Sequence, residues 1–458
     1  MANDRLAGAV RAALLLAVLA LGGCAHPQLR AADALLGGRP EEAFRLLQSE
    51  AEAGSPDAQF ELGRMYLSGV GVPQNEVQGI LWLRRSADAG FAAAQTVLGV
   101  GLIAGTAGLT KDPTEGRRLL ERAAEHGIGV AQFFVGAMLL SGGEGFPSDR
   151  VEGVKWMVLG AMTSDAIELI FKRNPHVRSW KDMDKGIAET LSPTERRESY
   201  RRARAWLTRK SAKMRRPPPV RSAGKLFGVG SGVIVGQAAG VDFVVTNFHV
   251  IERCRQVNVA GFHAVESVGS LPSFTLSGMR GVDDHSVGYG DLAVLKVTGT
   301  SGRRAVALGA SGEVMAGDRL LLAGHPGGAF GQRQLKLMPA RPSDVPWKWR
   351  ANYGEDQGQG PWLWMESDAE PGFSGGPVLD DRGRLVGVVS GVPGPELKLF
   401  GLRELPRNLS LAASTTSIAA FLDVFEVGYR SQAVAPLLSP AEVEAIAREA
   451  TVRVECWG

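Results

Sequence analysis

Apolar positions change their texture once along this 458-residue chain. From Ala31 to Leu207 the sequence is Ala-rich and lacks strand alternation, whereas from Val220 onward it forms short β-branched runs separated by glycines. The first half also repeats itself. Asp57-Ala58-Gln59-Phe60-Glu61-Leu62-Gly63 aligns with Ala93-Ala94-Gln95-Thr96-Val97-Leu98-Gly99 and with Val130-Ala131-Gln132-Phe133-Phe134-Val135-Gly136, at spacings of 36 and 37 residues. Each copy runs to a glycine turn (Gly69, Gly105, Gly142) and then into a second helix. There Trp82, Leu119 and Trp156 hold matching positions, and Ala87, Ala123 and Ala161 let neighbours pack closely. A lone helix hairpin cannot bury its apolar face, so such units stack into a curved array.

The last helix of this half is announced by Ser192-Pro193-Thr194-Glu195, a capping box with proline at the first helical position, and carries Tyr200, Ala203 and Leu207 on one face. Arg215-Arg216-Pro217-Pro218-Pro219 cannot continue a helix and predicts a short stiff link. Beyond it come Gly228 to Val235, Asp242 to Thr246 and Val257 to Ala260, then Asp291 to Val297, short strands of a barrel or sandwich. Val378-Leu379, the turn Asp380-Asp381-Arg382-Gly383 and Arg384 to Ser390 predict a hairpin. Near the C-terminus, Ser439-Pro440-Ala441-Glu442 repeats the capping box and predicts a helix to about Ala450. Thr451 to Cys456 then alternates as a strand with Val452, Val454 and Cys456 on one face.

Charge adds little to this picture. The net charge is +3, and the excess is local: Ser192 to Arg216 holds ten Lys or Arg against two Glu, a solvated helix face that gives no general nucleic-acid reading. The N-terminus is more telling, with Arg5, Arg11, an apolar run from Ala12 to Leu21 too short to span a bilayer, and then Gly22-Gly23-Cys24. Leu21-Gly22-Gly23-Cys24 resembles the bacterial lipobox. That resemblance implies cleavage before Cys24 and lipidation of it, and Ala25 in place of Asp favours the outer over the inner membrane. The mature chain would then lie in the cell envelope, on the periplasmic side, anchored to the membrane. Cys254 and Cys456 remain as the pair for a disulfide there. The seven histidines show no metal-ligand spacing, and neither metal nor cofactor is read.

Candidate chemistry centres on Glu370-Pro371-Gly372-Phe373-Ser374-Gly375-Gly376-Pro377. Glycine at 372 lets the backbone turn so that the N–H groups of Gly372 and Ser374 can both face a developing oxyanion. This stretch resembles the nucleophile segment of chymotrypsin-like serine peptidases, most closely the bacterial trypsin-like group that includes the HtrA family, which reads G-x-S-G-G-P. Thr246-Asn247-Phe248-His249-Val250 resembles that group's T-x-x-H-V, and Asp291-Leu292-Ala293-Val294-Leu295 its D-[IL]-A-V-L. The resemblance implies His249 as general base, Asp291 as its orienting acid and Ser374 as nucleophile, in the family's order; Asp283 and Asp284 are loop rivals for the acid. It also implies that Ser390-Gly391-Val392 pairs with substrate backbone, and that Asp368, six residues before Ser374, or Glu366, lines the primary pocket. His325, in Gly324-His325-Pro326-Gly327-Gly328, is read as a turn residue. The Trp-rich stretch Pro339 to Trp364 departs from the family and either flanks the groove or covers the barrel. The repeats resemble Sel-one-like repeats, relatives of the tetratricopeptide repeat, which implies protein binding.

The chain is therefore expected to be multidomain: an all-α helical repeat solenoid followed by an all-β two-barrel chymotrypsin-like domain. Its expected parts are a signal peptide at 1–23, an anchor linker at 24–38, repeats at 39–212 and a basic, Pro-rich linker at 213–219. The peptidase domain follows at 220–425, then a C-terminal helix and strand at 426–458, too few residues for a PDZ domain, with a Cys254–Cys456 disulfide expected to clamp that strand onto the first barrel beside His249. The expected function is exported serine endopeptidase acting on polypeptides; the rival from another class is a non-catalytic scaffold or envelope sensor with a silent protease fold.

Overall fold

The computed structural model describes residues 38–163, 180–214, 226–271, 291–326, 334–343, 362–391 and 408–458, together with 31 and 34 and apart from 107, 144, 239, 260–263, 300, 301, 316 and 433. Cys24 and the signal segment, the Pro-rich link, Asp283, Asp284, Val392 and most of the Trp-rich stretch lie outside these residues.

Among the described residues, seven helices form the repeat region: α1 (Pro40–Glu52), α2 (Pro56–Ser68), α3 (Glu76–Asp88), α4 (Ala92–Ala104), α5 (Pro113–Glu125), α6 (Gly129–Ser141) and α7 (Arg150–Thr163). The motif glycine of each repeat sits at a helix crossing. A Cβ at Gly99 would lie 2.8 Å from the Gly116 carbonyl oxygen and one at Gly136 2.6 Å from that of Gly153, so α4 meets α5 and α6 meets α7 backbone to backbone. The motif glutamine ties successive hairpins together: Gln59, Gln95 and Gln132 are buried and donate through Nε2 to the carbonyls of Ala51, Ala87 and Ala124, each at 3.1 Å. The second helix of each pair starts on a side-chain cap, with Asn75 accepting from Gln78 N–H at 3.1 Å, Asp112 from Glu115 N–H at 3.0 Å and Asp149 from Glu152 N–H at 2.9 Å.

After α8 (Trp180–Thr190), the long helix α9 (Pro193–Met214) opens on the predicted capping box, with Ser192 N–H donating to Glu195 Oε2 at 2.8 Å. It runs two residues into the segment read as linker. Trp206 packs edge-on against Trp156 of α7, ring centroids 6.0 Å apart, and its indole N–H donates to Glu125 at 3.0 Å.

The β half comprises β1 (Leu226–Ala238), β2 (Val241–Thr246), the single turn α10 (Phe248–Ile251), β3 (Gln256–Val259), β4 (Ala264–Leu271), β5 (Leu292–Thr298), β6 (Leu320–Gly324), β7 (Lys336–Pro342), β8 (Trp362–Glu366), β9 (Pro377–Leu379), β10 (Leu385–Gly391), β11 (Leu409–Ser414), α11 (Thr415–Val424), α12 (Pro440–Ala450) and β12 (Thr451–Trp457). Among the described residues, the first sheet has the order β3-β12-β1-β2-β5-β4, and the second closes as a barrel, β10-β11-β8-β7-β6-β9.

The expected C-terminal strand of 426–458 joins the first sheet. Strand β12 lies between β1 and β3, pairing Val454 with Gly230 on one side and with Val259 on the other, so 426–458 is part of the β fold. Its predicted one-sided alternation is lost for the same reason: both faces of this inner strand are covered, and Thr451 and Arg453 are buried along with Val452 and Val454. Cys254, just past α10, and Cys456 are joined by a disulfide, Cα atoms 5.1 Å apart, which ties β12 to the end of that turn.

The two halves share a core. One apolar cluster runs from Phe60 and Val97 through Trp156, Trp206 and Leu207 to Val233, Leu292 and Phe421. Helix α9 reaches α11 and the first sheet: Arg204 donates to the Val424 carbonyl at the end of α11 at 2.6 Å, and Ser211 Oγ accepts from Ser270 Oγ of β4 at 2.9 Å.

Candidate active site

The site forms where the sheets meet, and its residues come from strand ends. Strand β2 ends at Thr246, and the turn α10 that follows carries His249 with its side chain about one-third exposed (35%). Asp291 stands at the start of β5, 5% exposed, with φ +58°, a left-handed conformation that costs a non-glycine residue about 1 kcal/mol. Hydrogen bonds on three sides hold it there. Asn247 Nδ2 donates to its carbonyl at 2.8 Å, the His249 N–H donates to Oδ1 at 3.0 Å, and Ser390 Oγ donates to Oδ2 at 2.8 Å. The same Oδ2 lies 2.7 Å from His249 Nδ1, which therefore carries the proton and leaves Nε2 free to accept one. Burial pushes the imidazole pKa down, but the charge and hydrogen bond of Asp291, with a contribution from Glu252, more than offset it, so His249 is raised above its ordinary value.

Ser374 lies on the facing barrel, in the loop before β9. Its hydroxyl donates to the Ser390 carbonyl at 3.4 Å, a long bond, and makes none to His249 among the described residues. Gly372 has φ +105°, and a Cβ there would sit 2.2 Å from the His325 carbonyl oxygen. Among the described residues, neither the Gly372 nor the Ser374 N–H has an acceptor, although the neighbouring Phe373, Gly375 and Gly376 N–H groups all do.

Ser390 thus links the two sides, its hydroxyl bonding the Asp291 that holds His249 and its carbonyl accepting from Ser374. Ser390, read from sequence only as part of a substrate-pairing edge, turns out to hold Asp291 as well; a serine hydroxyl leaves no periodic or motif signal for such a contact. Ser390 and Gly391 end β10, where Gly391 pairs with Leu411. Asp368 is exposed, and Glu366 is engaged with Arg341 at 2.8 Å. His325 is buried beneath the nucleophile loop, and burial, with the charges of Arg453 and Arg303, pushes its pKa down to about 4.

Residues 230–388 match the family described as trypsin-like peptidase domain, and 56–91, 92–128 and 129–162 each match the Sel1 repeat. A trypsin-like peptidase domain follows three Sel1 repeats in this chain. The serine protease Do-like HtrA of Bacillus subtilis (strain 168) is 27% identical over 165 residues, which is 36% of this chain and 33% of that protein, so the chain matches about a third of its relative's length. A Sel1 repeat protein from Oxalobacter formigenes is 42% identical over 25% of this chain and 85% of its own, with a TM-score of 0.24. The HtrA-type protease AlgW, solved with a decapeptide, is 21% identical over 47% of this chain and 58% of its own, with a TM-score of 0.29.

Proposed function

We propose that the chain is a serine endopeptidase in which His249, oriented by Asp291, takes the proton of Ser374 as its oxygen attacks a peptide carbonyl. The observation that carries this reading is the buried Asp291 carboxylate, hydrogen-bonded at once to the ring and backbone of His249 and to Ser390, with Nε2 left as the base. The N–H groups of Gly372 and Ser374 supply the oxyanion site. Attack requires the Ser374 hydroxyl to leave the Ser390 carbonyl and accept the imidazole as its partner. That rotation costs little, because the bond it breaks is long.

The repeats provide a protein-binding surface, and Cys24 a lipid anchor that holds the protein in the cell envelope, at the outer membrane. The support for both is sequence pattern: the Sel1 repeats for the first, the lipobox resemblance for the second. The present side-chain geometry of Ser374 favours a second reading, a silent protease fold that only holds peptides. A fluorophosphonate probe separates the two. Labelling at Ser374, lost in Ser374→Ala and in His249→Ala, is the expected result; a folded protein that stays unlabelled and leaves unfolded casein intact supports the silent fold.

A further inference from the structure

Resting on the peptidase reading, we infer that Ser231 of β1 is a positioning residue that sets the oxyanion loop from the opposite sheet. The loop contains three consecutive peptide planes. The Gly372 carbonyl accepts from Ser231 Oγ at 2.7 Å while the Phe373 N–H of the same plane donates to Glu370 at 3.1 Å. The Ser374 carbonyl accepts from the Ser231 N–H at 2.8 Å while the Gly375 N–H donates to Val389 at 2.7 Å. Between these two pinned planes, the Phe373 carbonyl accepts from Gly376 N–H at 2.8 Å, which leaves the Ser374 N–H as the one group of the three planes aimed at no partner among the described residues.

Ser231 thus supplies one bond to each of the two outer planes, and it does so from a different sheet. Its hydroxyl has a fixed direction. The His325 N–H donates to Oγ at 2.9 Å, so the single hydroxyl proton goes to the Gly372 carbonyl, and at 0% exposure no water competes for it. Thr246 Oγ1 in turn donates to the Ser231 carbonyl at 2.7 Å, locking β1 against the strand that leads to His249. A glycine at 372 with φ +105° has little intrinsic preference for one peptide orientation, so the direction of its carbonyl depends on what the carbonyl is bonded to. Without the Ser231 hydroxyl, the Gly372 carbonyl and the His325 N–H both lose a buried partner, and turning the 372–373 peptide would misdirect the loop.

An oxyanion site acts on the transition state, so the effect belongs in kcat rather than in KM. The test uses the full chain and a fluorogenic peptide built on a bond it cleaves in unfolded casein, with a peptidyl boronate of the same sequence as the tetrahedral probe. Ser231→Ala is expected to lower kcat on the order of 100-fold, the smaller loss seen when one oxyanion donor is removed. KM should stay within about twofold, boronate affinity should fall in step with kcat, and the acid limb of the pH profile should not move. Ser231→Cys, whose thiol is a weak donor of similar shape, should lie between the two; it also provides the reading if the alanine variant fails to fold. Retained kcat and boronate affinity in a folded Ser231 variant would overturn the inference, as would a shift of the acid limb, which would place the effect on His249. An unsubstituted protein that neither cleaves casein nor labels at Ser374 would instead overturn the peptidase reading itself.

Discussion

At the scale of single residues the proposed mechanism divides the site into groups that react and groups that aim them. Ser374→Ala should remove turnover on the order of a million-fold while leaving the melting temperature unchanged, and His249→Ala should be about as severe, if the triad acts as a unit. Residual turnover above a thousandth of the original in either variant would rule the mechanism out. The raised His249 pKa predicts its pH profile. The base must be neutral to act, so activity rises with pH through a limb lying above the ordinary imidazole value of 6.5. Asp291→Asn should move that limb down while cutting the rate. The stability contributed by the pair has the opposite sense: it is fully present below the unfolded value of 6.5 and is lost as pH rises through the folded value. His325 behaves the other way. Its folded pKa of about 4 means that the unfolded chain takes up the proton first, so stability falls as pH drops from 6.5 towards 4, by up to about 3 kcal/mol. Urea titrations at pH 7 and pH 4.5 should show a smaller difference for His325→Asn than for the unsubstituted protein; an equal difference would remove His325 from the acid response. His249, Asp291 and Ser374 were singled out because each sits in a short run that resembles a peptidase motif. The contacts of Ser390, Ser231 and Asn247 were not legible, since they join residues 99, 141 and 44 positions apart.

Elements were legible wherever local chemistry decides them, and illegible wherever a strand's neighbours do. Both capping boxes formed, and α12 ends at the predicted Ala450, because a cap is made within four residues. The N-caps Asn75, Asp112 and Asp149 recur at the repeat spacing and could have fixed the helix starts. The cysteine pair pointed β12 to the first barrel, but nothing in the strand itself marks its place between β1 and β3, because its pairing partners lie between 195 and 231 residues away. That position gives the disulfide its leverage. Cys254 and Cys456 are 202 residues apart, and closing so long a loop is worth roughly 5 kcal/mol in the chain-entropy model, an upper figure. Non-reducing peptide mapping should recover the two cysteines as one linked pair, and reduction should lower the melting temperature by several degrees. Both thiols alkylated in unreduced protein would show that the clamp does not form. Its position beside α10 adds a functional expectation, that reduction loosens the turn bearing His249 before it unfolds the second barrel.

Over the whole molecule, the question is whether the repeats are an independent arm or part of the peptidase unit. The proposed lipid anchor would be independent of them: Cys24→Ser should release the chain from membrane fractions and leave peptidase activity unchanged, since an acyl chain holds through buried methylenes and has no part in the chemistry. The repeats are different. Domains within one chain move freely unless the surface between them is large and apolar, and here α11 buries Phe421, Leu422 and Val424 while Arg204 of α9 bonds the last α11 carbonyl and pairs with Glu426 at 3.1 Å. Helix α11 follows directly from β11, whose partner β10 carries Ser390, so the repeat side of the fold is two elements away from the group that holds Asp291. The full chain should therefore melt in one cooperative calorimetric transition. A fragment beginning at Val220 should expose the apolar face of α11, bind a hydrophobic dye and melt well below the full chain. Two resolved transitions in the full chain, the later one matching the isolated fragment, would show that the repeats are an arm after all. In that case a ligand on them could reach the active site only by bringing substrate near, and not by moving β10.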